Sequence, residues 1–298
     1  MLLAKTSSHA DWRMVRLYYH DPIVPFLISS LKPFIDGLEK IKMTERYFWK
    51  RSDENGRHIQ LFVRCSNDMM ESLLLPNLIS HFNNYIDLRP SIRSRNNIEH
   101  APDNSLNFQS YAPNENDWGG VVGLPIAERF FQASSNAVLN QFALKGDFLN
   151  GEQILETTII LHAAFLKETH RQPKDIVVFY ENLFFNYTGE AFSIFELDSF
   201  FEKQSTYLRY FVEKIWQTLQ EDDLFAVESY NKWLDDCFFV VNDLKITYSE
   251  RTQSHLAQLS ELWDYHGRLL RFVNNQLGLK DKDEALFFYI MIRCFELM

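Results

Sequence analysis

Two short apolar runs joined by a polar turn constrain this chain most. Tyr47 to Arg51 is aromatic, His58 to Cys65 is β-branched and aromatic, and Asp53-Glu54-Asn55-Gly56 lies between them. Asn-Gly accepts positive φ at little cost, so the pattern predicts an antiparallel hairpin. Lys50, Arg51, Arg57, His58 and Arg64 lie on or beside it. Such a hairpin is either one wall of an anion site or a strand edge protected by charge.

The flanking sequence predicts how the hairpin is completed. Trp12 to Tyr19 alternates as a strand, and Asp21-Pro22 starts a turn. Phe26 to Ile41 has helical apolar spacing, with Pro33 placed to kink or restart the helix. Ser66-Asn67-Asp68 offers an N-cap for a second amphipathic helix, Met69 to Ile86. Leu106 to Tyr111, after the irregular Leu88 to Asn104, is the candidate closing strand. The expected fold is therefore α+β: an N-terminal ferredoxin-like βαββα(β) part packed on a mainly helical C-terminal part.

The loop Tyr111 to Gly120 is rich in Pro, Asn, Asp and Gly, and acidic where the hairpin is basic. It sets the expected boundary: residues 1–118 form the α+β part and 119–298 the helical part, in one compact unit. Helices are predicted over Ile126–Ala143, Gly151–His170, Ile194–Leu219, Leu224–Leu234, Cys237–Leu244, His255–Leu277 and Asp283–Leu297. Asp175 to Phe185 is strand by composition and helix by context. No internal repeat or low-complexity segment interrupts the chain.

Composition narrows the function classes. Hydrophobic residues make up 46% of the 298, and 26 are Phe, so a substantial core is affordable and disorder is not expected. A net charge of −10 argues against a nucleic-acid surface. The three cysteines, 65, 237 and 294, have neither zinc nor redox spacing, and a reducing, cytoplasmic setting fits them. The N-terminus is too short in apolar length for a signal peptide, and no run is long enough to span a bilayer. His162 and His170 stand about two helical turns apart, too far for one metal. No metal site, cofactor or membrane contact is expected. Phosphate loops, Gly-x-Ser-x-Gly elbows and His-Glu-x-x-His pairs are absent from the sequence.

Taken in order, several landmarks resemble the C-terminal elimination domain of lantibiotic dehydratases, also found alone as thiopeptide-type bacteriocin biosynthesis proteins. Trp12-Arg-Met-Val-Arg-Leu-Tyr18 is similar to the family's opening strand, Trp-x-x-x-x-Leu-Tyr. Pro25 to Ile41 resembles its first helix. Phe48-Trp-Lys-Arg-Ser-Asp53 and His58-Ile-Gln-Leu-Phe-Val63 resemble its hairpin. Tyr111 to Gly120 with Ala127-Glu-Arg129 echoes its Tyr…Gly-Gly loop and following helix. Leu270 to Gly278 echoes its closing His-Met-x-x-Asn-Arg-x-x-Gly.

The resemblance implies binding of a ribosomal precursor peptide and lyase-type action on its glutamylated or dehydrated Ser and Thr. Elimination needs a base for the Cα proton and cations to steady the enolate and the leaving carboxylate. This chain departs from the family at those positions. The hairpin arginines fall on Gln60 and Phe62, the loop arginine on Asp117, and the histidine near Leu270. Candidates for catalysis are then Arg51, His58 and His266, the last one helical turn before Leu270. Candidates for substrate binding are Lys50, Gln60, Phe62, Arg64, Asp117 and Trp118. The alternatives are a pyridine-synthase-like cycloaddition, which depends on holding the peptide in a reactive fold, and a non-catalytic scaffold for a separate glutamylating dehydratase subunit. A homodimer is left open.

Overall fold

A computed structural model describes residues 10–92, 102–111, 113–146, 149–169, 172–188, 193–249 and 255–298. His170, the extreme N-terminus and much of the Leu88–Asn104 stretch lie outside the described residues. The chain is α+β, mainly helical, with one antiparallel sheet near its N-terminus. It divides into two compact units: Met1–Asn114 with Phe142–Leu149, and Glu115–Gln141 with Asn150–Met298.

The first unit runs β1 (Ala10–Tyr18), α1 (Ile23–Phe26), α2 (Lys32–Lys40), β2 (Arg46–Ser52), β3 (His58–Ser66), α3 (Asn67–Met69), α4 (Leu75–Leu88) and β4 (Ser105–Ser110). The sheet order is β2-β3-β1-β4, with every neighbour antiparallel. The hairpin forms as the sequence predicts. Asn55 and Gly56 take φ of 57° and 109°, and the Gly56 N–H donates to the Asp53 carbonyl at 3.1 Å.

Neither proline breaks its helix. A wide π-type turn, Leu27–Leu31, joins α1 to α2 just before Pro33, and a second, Met70–Leu74, joins α3 to α4 just before Pro76. Proline lacks an N–H and crowds the carbonyl four residues back, and widening that turn relieves both problems. Ser66 occupies the N-cap position of α3, but its side chain makes no capping hydrogen bond.

One sheet face carries Tyr47, Trp49, Ile59, Leu61, Val63, Val15 and Leu17, all essentially buried. It packs under the helices: the Tyr47 hydroxyl donates to Glu39 of α2 at 2.7 Å. Beyond the end of β1, Tyr19 stacks on Phe26 at 4.6 Å, and Phe26 meets Phe82 of α4. Each such aromatic contributes about 1.5–3 kcal/mol by leaving water. Successive strand residues face opposite ways, so Phe48, Lys50, Gln60, Phe62, Met14 and Arg16 share the other face.

The second unit is helical: α5 (Gly120–Lys145, shared with the first unit at its last turn), α6 (Gly151–Thr169), α7 (Pro173–Thr188), α8 (Ile194–Gln220), α9 (Glu228–Ser249), α10 (His255–Leu277) and α11 (Asp281–Phe295). The ambiguous Asp175–Phe185 stretch is helical, within α7. Two expectations are corrected. Leu224–Leu234 and Cys237–Leu244 are not separate helices, because α9 runs unbroken through Asp235-Asp236, with Leu224 outside it and exposed. α5 begins at Gly120 rather than Ile126 and carries Pro125 inside its early turns.

A polar chain runs through this unit's core. His162, fully buried, lies with Nδ1 3.1 Å from the Tyr180 hydroxyl and Nε2 2.8 Å from Asn274 Oδ1. The Asn274 amide donates to Glu284 at 3.1 Å, and Glu284 takes a forked pair from Arg271 at 3.0 and 3.1 Å. Burial drives the His162 pKa down to about 3, only partly opposed by the bond to Asn274. Each member satisfies its neighbour, which is what makes a buried polar chain tolerable.

Candidate functional site

The open question for the hairpin is which side chains share a face. Cross-strand register answers it. Lys50 lies opposite Gln60, Gln60 opposite Arg16, and Arg16 opposite Asn107, so one row crosses all four strands. One row along, Phe48 is paired with Phe62 and stacked on it at 4.3 Å. Tyr111 meets Phe62 edge-on at 5.0 Å, and Trp12 meets Tyr111 at 5.4 Å and Phe48 at 5.2 Å. On the other side of the row, the His58 and Tyr18 rings lie 4.8 Å apart. The face is thus an aromatic box beside two cations and a carboxamide.

The electrostatics follow from burial. Desolvation pulls the Lys50 ammonium below its usual pKa; Glu54 opposes this and Arg16 adds to it. The ammonium sits 6.0 Å from the Phe62 ring centroid, a cation–π placement that partly replaces lost water. Arg16 is mostly buried and has only a 3.7 Å contact to exposed Glu54, and its Nε has no hydrogen-bond partner among the described residues. A buried donor left unpaired costs about 1–3 kcal/mol, which an arriving acceptor relieves.

His58 is committed differently. Its Nδ1 lies 2.7 Å from the Gly56 carbonyl, which fixes Nδ1 as the protonated nitrogen of the neutral ring. Nε2 then accepts from the Gln60 amide at 3.2 Å. Burial lowers the His58 pKa, with the Gly56 bond opposing and Arg16 reinforcing. The ring thereby fixes the direction of the Gln60 amide nitrogen.

The remaining candidates separate. Arg51 points to the opposite sheet face from Lys50, over the Phe142 ring at 5.8 Å, and burial with help from Arg57 lowers its pKa to about 10. Arg64 shares the parity of Gln60 but sits at the far end of β3, 3.6 Å from Glu45. Arg57 pairs with Asp21 at 3.1 Å. Asp117, Trp118 and His266 belong to the second unit. Asp117 is exposed in a short helical turn, Glu115–Trp118. Trp118 packs edge-on against Phe131 and Tyr265, with Arg268 over its ring at 6.0 Å. His266 is buried, edge-on to Phe165.

Arg16, Trp12 and Tyr111 complete the face and were not among the candidates. The alternation of Trp12–Tyr19 already put Arg16 and Tyr18 on one side of that strand. What the sequence lacked was the register that sets Arg16 against Gln60.

The second unit has its own cleft of about 660 Å³, lined by Ile154, Leu155, Phe200, Leu286 and Phe287 with Lys203 among its polar residues. None of the candidate residues lines it. Among the described residues no three His, Cys, Asp or Glu are placed to hold a metal, and no helix is long and apolar enough to cross a membrane.

The sequence matches the family described as lantibiotic biosynthesis dehydratase C-terminal over residues 12–295. The chain belongs to this family. Membership makes it a biosynthetic protein of ribosomally made, modified peptides, from a family of enzymes. No curated protein sequence matches the chain. Among solved structures it is similar to the pyridine synthase TbtD from thiomuracin biosynthesis, at TM-score 0.76 and 11% identity, covering 97% of this chain and 100% of that one. It is also similar to TsrL, at TM-score 0.71 and 14% identity, covering 97% and 95%. The tRNA-dependent lantibiotic dehydratase MibB from Microbispora sp. 107891 gives TM-score 0.69 and 16% identity, covering 98% of this chain but 28% of that one. At these identities the likenesses concern the fold.

Several residues have structural duties in this dehydratase C-terminal family member. Asn274 bridges His162 to Glu284. Gly278 ends α10 with φ 91°, and its N–H and that of Leu279 both reach the Asn274 carbonyl at 3.0 Å. That is a helix stop which glycine makes without strain. Leu270 is fully buried. Gly123 is needed because a Cβ there would lie 2.0 Å from the Trp118 carbonyl oxygen, and its own carbonyl accepts from Tyr265 at 2.8 Å.

Proposed function

We propose that this chain binds a ribosomal precursor peptide and acts on its glutamylated Ser or Thr through the Lys50–Gln60–Arg16 row. The observation that carries the reading is the row itself, with two cations flanking a carboxamide on a mostly buried sheet face. In elimination a base removes the Cα proton, the electron pair spreads onto the adjacent carbonyl, and the Cβ–O bond breaks to release glutamate. Lys50, its pKa lowered by burial, is suited to take the proton or to face the enolate oxygen. Arg16 is suited to the leaving carboxylate through its unpaired Nε. Gln60, oriented by His58, offers polar contact to the peptide, and Phe62 with Phe48, Trp12 and Tyr111 forms the apolar wall. Arg64, at the far end of β3, is kept as an outer peptide contact, and Arg51 as support for the sheet. The strand order β2-β3-β1-β4 supports reading the first unit as ferredoxin-like, which would present this face on a rigid sheet.

A second reading is formal cycloaddition between two dehydroalanines. It is favoured by the neutral Gln60 and the stacked Phe62 at positions where the resemblance implies arginines. Such a site works by holding a folded peptide more than by acid–base strength.

The test incubates the protein with the glutamylated precursor of its own pathway and follows products by mass spectrometry. Loss of one glutamate per modified residue supports elimination. Ring formation with leader release supports cycloaddition. An unchanged peptide overturns both and leaves a binding role beside a separate glutamylating subunit.

A further inference from the structure

Among the described residues, the β4 edge of the sheet is uncovered. β4 reads Ser105-Leu-Asn-Phe-Gln-Ser110, without a charge or a proline. Among the described residues nothing pairs with its outer side, and residues 107–110 are exposed. Free edges are normally protected by Lys, Pro, a bulge or a covering segment, because their N–H and C=O groups recruit other strands. Among the described residues, β4 has none of these protections beside the Arg16 row.

We infer that β4 accepts an extended peptide segment as a fifth strand. The identity of that segment, the precursor peptide, rests on the proposed function; the mode of capture does not. Two features fit a strand of alternating character. Leu106 and half-exposed Phe108 lie on the face shared with Leu17 and Val15, their cross-strand partners, and give apolar grip to every second residue. Asn107 and Gln109 lie on the other face, in register with Arg16 and Met14. A peptide residue opposite Asn107 therefore joins the row of Arg16, Gln60 and Lys50. It stands two strand spacings, about 10 Å, from Arg16. Lys50 lies about four strand spacings away, ~19 Å, so the segment held at this edge flanks the reacting residue and anchors it beside Arg16. Backbone pairing supplies affinity without reading sequence, and alternate side chains supply selectivity.

The experiment uses the whole protein and a fluorescein-labelled peptide of alternating Ser and Val with Lys at each end. Two further versions carry N-methyl groups on alternate amides, one set per version. Binding is read by fluorescence anisotropy. Strand addition uses only every second peptide N–H, so one methylated version should weaken by at least about tenfold and the other by less than about twofold. Phe108→Lys should weaken the parent peptide by about tenfold as well, with its fold checked by circular dichroism. Equal behaviour of the two methylated versions, or no binding of the parent peptide, overturns the inference. So does a wild-type dimer that Phe108→Lys converts to monomer, since the edge is then occupied by a second copy. Because no turnover is measured, failure here leaves the elimination assay to judge the functional reading independently.

Discussion

Arg16 lies directly across the β1–β3 ladder from Gln60, and Gln60 lies across the β2–β3 ladder from Lys50. Two cations therefore flank one neutral amide on a mostly buried face. Like charges so placed destabilise one another. A fold retains such a pair most readily where an anion is to be received.

The coupling between the two cations is measurable. Burial is the main cause of the lowered Lys50 pKa, but Arg16 contributes to it. Arg16→Gln should raise the Lys50 pKa toward its ordinary value, read by NMR titration of the lysine side chain. An unchanged Lys50 titration would mean that the two cations do not sense each other.

Acid should loosen the second unit through His162. Its folded-state pKa is lowered to about 3 by burial, from an ordinary 6.5. The unfolded chain thus binds the proton first as pH falls. The stabilisation from holding the ring neutral is full above pH 6.5 and is lost progressively down toward pH 3. The stability of the wild type should fall by up to about 1.4 kcal/mol per pH unit more steeply than that of His162→Gln in this window. Urea denaturation at a series of pH values checks this, and parallel slopes would contradict it.

Glu284 holds the same chain from its other end. It is buried and accepts from Arg271 twice and from Asn274 once. Glu284→Ala should cost about 3 kcal/mol in urea unfolding. That is the low end for a broken buried pair, because Arg271 is partly exposed and stays over the Tyr187 ring at 4.3 Å. A loss below about 1 kcal/mol would show that the network relaxes without it.

Much of the first unit was legible in the sequence for local reasons. Asn55-Gly56 marks the hairpin turn, period-two alternation marks β1, and β-branched and aromatic content marks β3. Pro33 was visible as a disturbance, but its outcome depended on the turn before it, which widened instead of breaking. α9 differs from the expectation because Asp235-Asp236 resembles a stop, whereas the helix runs through exposed Asp235 and half-buried Asp236 without a break. The candidate site was legible only in part. Lys50, His58, Gln60 and Phe62 follow from the hairpin, but alternation sends Arg51 to the helix-covered face. Arg16 belongs to a different strand, and register is a tertiary property that strand periodicity does not contain.

The most direct measurement compares the rate of glutamate loss from the pathway's own glutamylated precursor for wild type, Lys50→Gln and Arg16→Gln. Removing one stabiliser of developing charge costs about a hundredfold or more where that charge forms in a dry site. The account expects wild-type turnover and a loss of that order in each variant, with folded spectra retained. Wild-type turnover left intact in both variants would contradict the assignment of the Lys50–Gln60–Arg16 row as the reaction centre.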